Sequence, residues 1–163
     1  PSEALIQIKA RIAAAPERLG DILEEAAIGA PEPRIARNRA LIDRHFASDR
    51  YEDILASLVA DGGEWAQKEL ATLQTKSPQT CKVALRQLSS SMALADFSEN
   101  MRMEYRIASR VLTRPDFAEG VRAVIVDKDN APKWDPPNPE GVTEALLDSI
   151  FAPLPEQEEW KPL

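Results

Sequence analysis

Residues 94–114 read LADFSENMRMEYRIASRVLTR. Leu94, Phe97, Met101, Tyr105, Ala108 and Leu112 recur there at spacings of three and four. At 3.6 residues per turn these side chains share one face over about five turns, so the stretch predicts a long helix with a continuous buried stripe. Pro115 closes it. Downstream, Asp116 and Glu119 form a capping box before Val121, Val124 and Ile125. Val124–Val126 has strand composition, yet it is too isolated to find sheet partners. Four prolines in 130–141 make an extended connector. Thr143 caps a last short helix through Phe151, and the tail with Pro153, Pro155 and Pro162 is expected to fray.

Upstream of the long helix, Ser77 followed by Pro78 reads as an N-cap with proline at the first helical position. Cys81, Ala84, Leu85 and Leu88 follow at helical spacing, and Ser89–Ser91 end that helix. Gly62 and Gly63 separate two more helices, one opened by an Asp49/Glu52 box and one carrying Trp65, Leu70 and Leu73. Residues 34–46 read as one basic helix. A helix over 17–28 closes on Gly29 in the left-handed cap position, and Ser2 caps a first helix to about Ala15. The prediction is an all-α chain of seven to nine helices.

Composition narrows the function. The chain has 163 residues, 20 basic against 27 acidic side chains, and a net charge of −7. That surface disfavours nucleic acid as a partner. No apolar run approaches the roughly 18 residues of a membrane span, so no membrane partner is expected. One cysteine fits a reducing compartment, and one histidine with one cysteine cannot build a zinc site and leaves little room for a Ser-His or Cys-His catalytic system. No signal or transit peptide is read. The chain starts at Pro1 without methionine and reads as a processed or truncated product. The expected localisation is cytoplasmic, of bacterial type.

Two stretches are distinctive: Ser77-Pro78-Gln79-Thr80-Cys81-Lys82-Val83-Ala84-Leu85-Arg86-Gln87-Leu88, and Met103-Glu104-Tyr105-Arg106 followed by residues 116–134 with Glu119-Gly120-Val121-Arg122-Ala123-Val124, Asp127-Lys128-Asp129 and Pro132-Lys133-Trp134. Together they resemble the C-terminal part of the 3-hydroxyisobutyryl-CoA hydrolases, in the enoyl-CoA hydratase/isomerase-like crotonase superfamily. The resemblance is strongest over 76–134, fair over 36–75, and weak over 1–35 and beyond 137. It implies a single helical C-terminal region: variable helices over 1–75, crotonase-type helices over 76–134, and a proline-rich tail with a short helix over 135–163. It also implies that the spiral α/β core, its oxyanion donors and its catalytic carboxylates precede Pro1. Pro1-Ser2 looks like the end of that core. No catalytic residue is therefore assigned in this chain.

What the resemblance implies here is a site for CoA. Lys128, Lys133 and Trp134 lie where the family's C-terminal region reaches the nucleotide end of the ligand. Lysine can meet phosphates as a point charge and tryptophan offers a stacking face; the plainer reading is a solvated lysine pair with Trp134 anchoring the connector. No cofactor is expected, acyl-CoA being substrate. Glu104 is read as an ion pair with an arginine or as part of an acyl pocket, His45 as a partly buried structural histidine, and Cys81 as a buried thiol. Trp65 is read as core packing, Trp160 as docking the tail. In the family these helices pack on the core, so the isolated chain is expected to expose apolar surface and self-associate. Three functions fit: the C-terminal portion of a short hydroxyacyl-CoA thioester hydrolase, inactive alone; the same portion of another crotonase-type enzyme, such as a hydratase; or a non-catalytic helical interaction module.

Overall fold

A computed structural model describes residues 2–161. Pro1 and Pro162, both used in the sequence reading, lie outside the described residues. Among the described residues there is no strand, and ten α-helices follow one another: α1 (Glu3–Ala14), α2 (Leu19–Ala26), α3 (Arg34–Arg37), α4 (Arg39–His45), α5 (Tyr51–Asp61), α6 (Glu64–Gln74), α7 (Pro78–Ser91), α8 (Phe97–Val111), α9 (Pro115–Val121) and α10 (Glu144–Phe151). The fold is all-α, as the C-terminal portion of a crotonase-like enzyme should be, and α8 is the longest element. The count exceeds nine because the basic helix breaks at Asn38, whose side-chain amide donates to the Arg34 carbonyl.

Residues 1–39 and 40–163 form two compact units. In the first, α1 pairs with α2, Ile22 is buried, and Arg11 and Arg18 both pair with Glu25. The expected left-handed cap at Gly29 is not formed. The helix already ends at Ala26, Ala27 is extended, and Gly62 is the one glycine of positive φ among the described residues.

The second unit has two hydrophobic centres. Ile54, Leu58 and Ala66 join α5 to α6, with Trp65, Leu70, Leu73 and Leu85 packed on them. The hairpin turns at Gly62, whose φ of 64° suits glycine at a helix C-cap. Val83, Met103, Ile107, Val142, Leu147 and Ile150 join α7, α8 and α10. Two caps are as predicted: Ser77 Oγ accepts from the Thr80 amide at 3.1 Å, and Thr143 Oγ1 from the Leu146 amide at 3.2 Å.

Several expectations are corrected. The long stripe is not the buried one: Phe97 is 74% exposed and Leu112 55%, whereas Met103 and Ile107 are buried. The core-facing side of α8 therefore lies about 140° around the helix from the predicted stripe, at about 100° per residue. Neither acidic box forms. The first gives way to Arg50 as N-cap, with Ser48 accepting from the Arg50 amide; the second gives way to Arg114, with Pro115 at the first helical position. Residues 122–126 continue α9 as a π-helical turn. The described part of the tail is fastened rather than frayed. Arg106 pairs with Glu159 at 2.7 Å, and Arg110 donates to the carbonyls of Ile150, Ala152 and Pro153.

Candidate functional site

The α9–π turn and the connector after it form one closed loop. Arg122 donates to both Glu119 oxygens at 2.9 and 2.8 Å, to Asp127 Oδ2 at 2.6 Å, to Asp129 Oδ2 at 2.7 Å and to the Ala131 carbonyl at 3.3 Å. Asn130 N donates to the Ala123 carbonyl at 3.0 Å, and Ala131 N to Asp129 Oδ1 at 2.9 Å. The charged residues of the Glu-Gly-Val-Arg and Asp-Lys-Asp segments, Lys128 apart, thus meet on one guanidinium. Hydrogen bonds from Arg122 and from the Lys133 amide push the Glu119 carboxyl down to about 2, and the Arg122 hydrogen bonds also lower Asp129.

The next three residues are fastened one by one. Lys133 N donates to Glu119 Oε1 at 2.7 Å, the Trp134 indole N–H to the Thr75 carbonyl at 3.1 Å, and Asp135 N to Asp116 Oδ1 at 2.7 Å. Asp116 is buried and also accepts from the Ser77 hydroxyl. The same serine therefore caps α7 and holds the start of α9. Trp134 is half-buried, its ring over Gly120. Lys128 and Lys133 are exposed and have no ion-pair partner among the described residues. The sequence missed Arg122, Asp127, Asp129 and the buried role of Asp116. The Glu-x-x-Arg spacing and the Asp-x-Asp pair were the available signals.

Beside Trp134 opens an apolar groove of about 590 Å³, between α7 (Thr80, Cys81, Ala84), Val111 of α8, and α9 with its π turn (Phe117, Val121, Val124, Ile125). That size and lining suit an apolar ligand or chain segment. Glu104 lines the adjoining hollow with Gln87 and Ala108. The arginine pair expected for it is not formed: Glu104 accepts from Asn100, and Arg106 is committed to Glu159. Cys81 is half-buried, not buried as expected, because it lines the groove; the burial it has raises its thiol pKa. His45 is buried, with Nδ1 2.8 Å from Ser57 Oγ and its ring stacked on Trp65. Among the described residues no group of histidines, cysteines and carboxylates could hold a metal ion, and no helix is long and apolar enough to cross a membrane.

The family model for enoyl-CoA hydratase/isomerase matches residues 1–151. The chain belongs to this family. Relatives within it include the mitochondrial 3-hydroxyisobutyryl-CoA hydrolases of Xenopus laevis, 40% identical over 120 residues, and of Danio rerio, 35% identical over 136 residues. These alignments cover 74% and 83% of this chain but 31% and 35% of the relatives, so the chain spans about a third of their length. A carnitinyl-CoA dehydratase from Mycobacterium thermoresistibile superposes with a TM-score of 0.83 at 28% identity, over 96% of this chain and 44% of that one. An enoyl-CoA hydratase from Rhodobacter sphaeroides gives 0.74 at 33% identity, over 90% and 44%. The resemblance to 3-hydroxyisobutyryl-CoA hydrolases stands on these relatives. The expectation of a bacterial-type cytoplasmic enzyme is corrected by them, because the hydrolases matched are mitochondrial proteins of eukaryotes.

The clamp sets an acid limit on this family loop. A carboxyl held near 2 when folded, against its ordinary 4.5, contributes stability that is fully present above 4.5 and lost as pH falls toward 2. Hydrogen-exchange protection of the Lys133 amide should therefore hold at about pH 6 and fall between about pH 4.5 and 2, beyond any loss at the Leu146 amide, whose acceptor is a hydroxyl. Equal profiles at the two amides would remove the electrostatic role of Glu119.

Proposed function

We propose that this chain is the C-terminal helical part of an acyl-CoA thioester hydrolase of the 3-hydroxyisobutyryl-CoA type, cleaving a short hydroxyacyl-CoA with water as in valine breakdown. One observation carries the reading: the Glu119–Trp134 stretch that resembles the hydrolase branch is a single interlocked structure, closed by Arg122 and fastened at 133–135. Lys128, Lys133 and Trp134 are the residues of this chain that would meet the CoA nucleotide. Trp134 would do so through its ring, because its N–H is engaged by the Thr75 carbonyl. The apolar groove and the exposed face of α8 are the surfaces these helices would turn toward the rest of the enzyme and its acyl chain.

The chemistry itself needs donors aimed at the developing oxyanion, commonly the largest stabilising contribution in acyl transfer. None is assigned here, so the 163 residues alone should release no CoA above background. The enzyme that carries them should release free thiol from 3-hydroxyisobutyryl-CoA, read with a thiol reagent. The second reading, a hydratase or dehydratase, draws support from the 0.83 superposition on a carnitinyl-CoA dehydratase. Water addition to an enoyl-CoA without thiol release would select it. Thiol release from the isolated chain would refute the division of labour altogether.

A further inference from the structure

Lys128 and Asn130 have φ of 58° and 53°, and they are the two non-glycine residues of positive φ among the described residues. Such backbone is uncommon for lysine, and it persists where the surroundings over-determine it. Here they do. A guanidinium has five N–H donors, and all five of Arg122 are spent around this turn: on Glu119 from before it, on Asp127 and Asp129 either side of Lys128, and on the Ala131 carbonyl beyond it. Glu119 shares one of its oxygens with the Lys133 amide. One arginine therefore sets the backbone of both exposed lysines without touching either side chain.

We propose that Arg122 is a positioning residue, which holds loop 127–133 in the shape that presents Lys128 and Lys133 to the phosphates of a CoA thioester. This rests on the reading of those lysines as CoA contacts. The loop's composition argues for shape over charge. Two aspartates beside a phosphate-binding lysine weaken its field, so their value lies in what they fasten. A loop whose task was only to be basic would not carry them.

That reasoning gives a test of opposite signs, made in the full-length enzyme. Asp127→Asn with Asp129→Asn removes two negative charges and loosens the loop, leaving the Arg122–Glu119 pair to hold α9. If positioning matters, KM for the CoA thioester rises about 3- to 10-fold with kcat held, the range of one or two partly screened phosphate contacts. The same variant should keep its KM for the matching pantetheine thioester, which lacks the nucleotide phosphates. Arg122→Lys should raise KM for the CoA thioester at least as much, because three ammonium donors cannot replace five that hold both Glu119 oxygens, Asp127, Asp129 and the Ala131 carbonyl. A KM that falls or stays level with the CoA substrate, or that rises equally for the pantetheine thioester, overturns the inference. Lys128→Ala with Lys133→Ala separates the two failures. If the lysine variant raises KM and the aspartate variant does not, the lysines bind CoA and Arg122 does not position them. If the lysine variant leaves KM unchanged, the CoA reading of the lysines falls and the inference with it.

Discussion

Asp116→Ala should destabilise residues 40–163 by about 3–6 kcal/mol in urea unfolding, since hydrogen bonds to a charged group contribute about 1.5–3 kcal/mol each and two are lost. The carboxylate is buried, accepts from the Ser77 hydroxyl on one oxygen, and takes the Asp135 amide at 2.7 Å on the other. Its removal leaves a buried hydroxyl and a part-buried amide without their acceptor. Ser77→Ala should cost about 2 kcal/mol, combining a lost N-cap with a carboxylate deprived of one donor. The two residues share one bond, so the double variant should fall short of the sum by about 1 kcal/mol or more. Strict additivity would mean that Ser77 and Asp116 act separately. Losses below about 0.5 kcal/mol would mean that water replaces the network and that it does not join α7 to α9.

The same network shows where the sequence was legible. Ser77-Pro78, Gly62 and Thr143 are legible in the sequence because a cap is settled within three or four residues of chain. The acidic boxes do not form because other groups take their side chains, Lys82 for Glu52 in the first. Asp116 looks like an N-cap in sequence but answers to Ser77, 39 residues upstream, and Glu119 answers to Arg122 and Lys133. The tail was read as frayed for the same reason. Arg106 and Arg110 reach Glu159 and the 150–153 carbonyls across 40 to 53 residues, and no local pattern encodes that reach. The candidate site divides similarly. Lys128, Lys133 and Trp134 are candidates through the family resemblance, whereas the Glu-x-x-Arg spacing and Asp-x-Asp pair hint at the bonds of Arg122, whose full set shows only in three dimensions.

The orientation of α8 gives the sharpest test of what periodicity can and cannot say. This helix is apolar on two sides. One side, with Phe97, Tyr105 and Leu112, repeats regularly and was read as the core; the other, with Met103 and Ile107, packs on Val83, Leu147 and Ile150. A periodic pattern reports that a face is apolar, not what covers it. Ile107→Ala should therefore cost about 2–4 kcal/mol, as truncations in packed cores do. Phe97→Ser should cost less than about 0.5 kcal/mol, since a side chain 74% exposed gains little from folding. The exposed face has a second consequence. Leu88 of α7, Met92 and Leu112 at the C-caps of α7 and α8, Phe117 of α9, and Val124 and Ile125 of the π turn are exposed, and contiguous apolar surface beyond a few hundred Å² is rare on stable monomers. The isolated chain should bind a hydrophobic dye and sediment faster as its concentration rises. Phe97→Ser with Leu112→Ser should reduce both effects while leaving the unfolding midpoint in place. If instead the serine pair unfolds the chain and Ile107→Ala is silent, the predicted stripe is the core after all, and the packing of α8 on α10 is wrong.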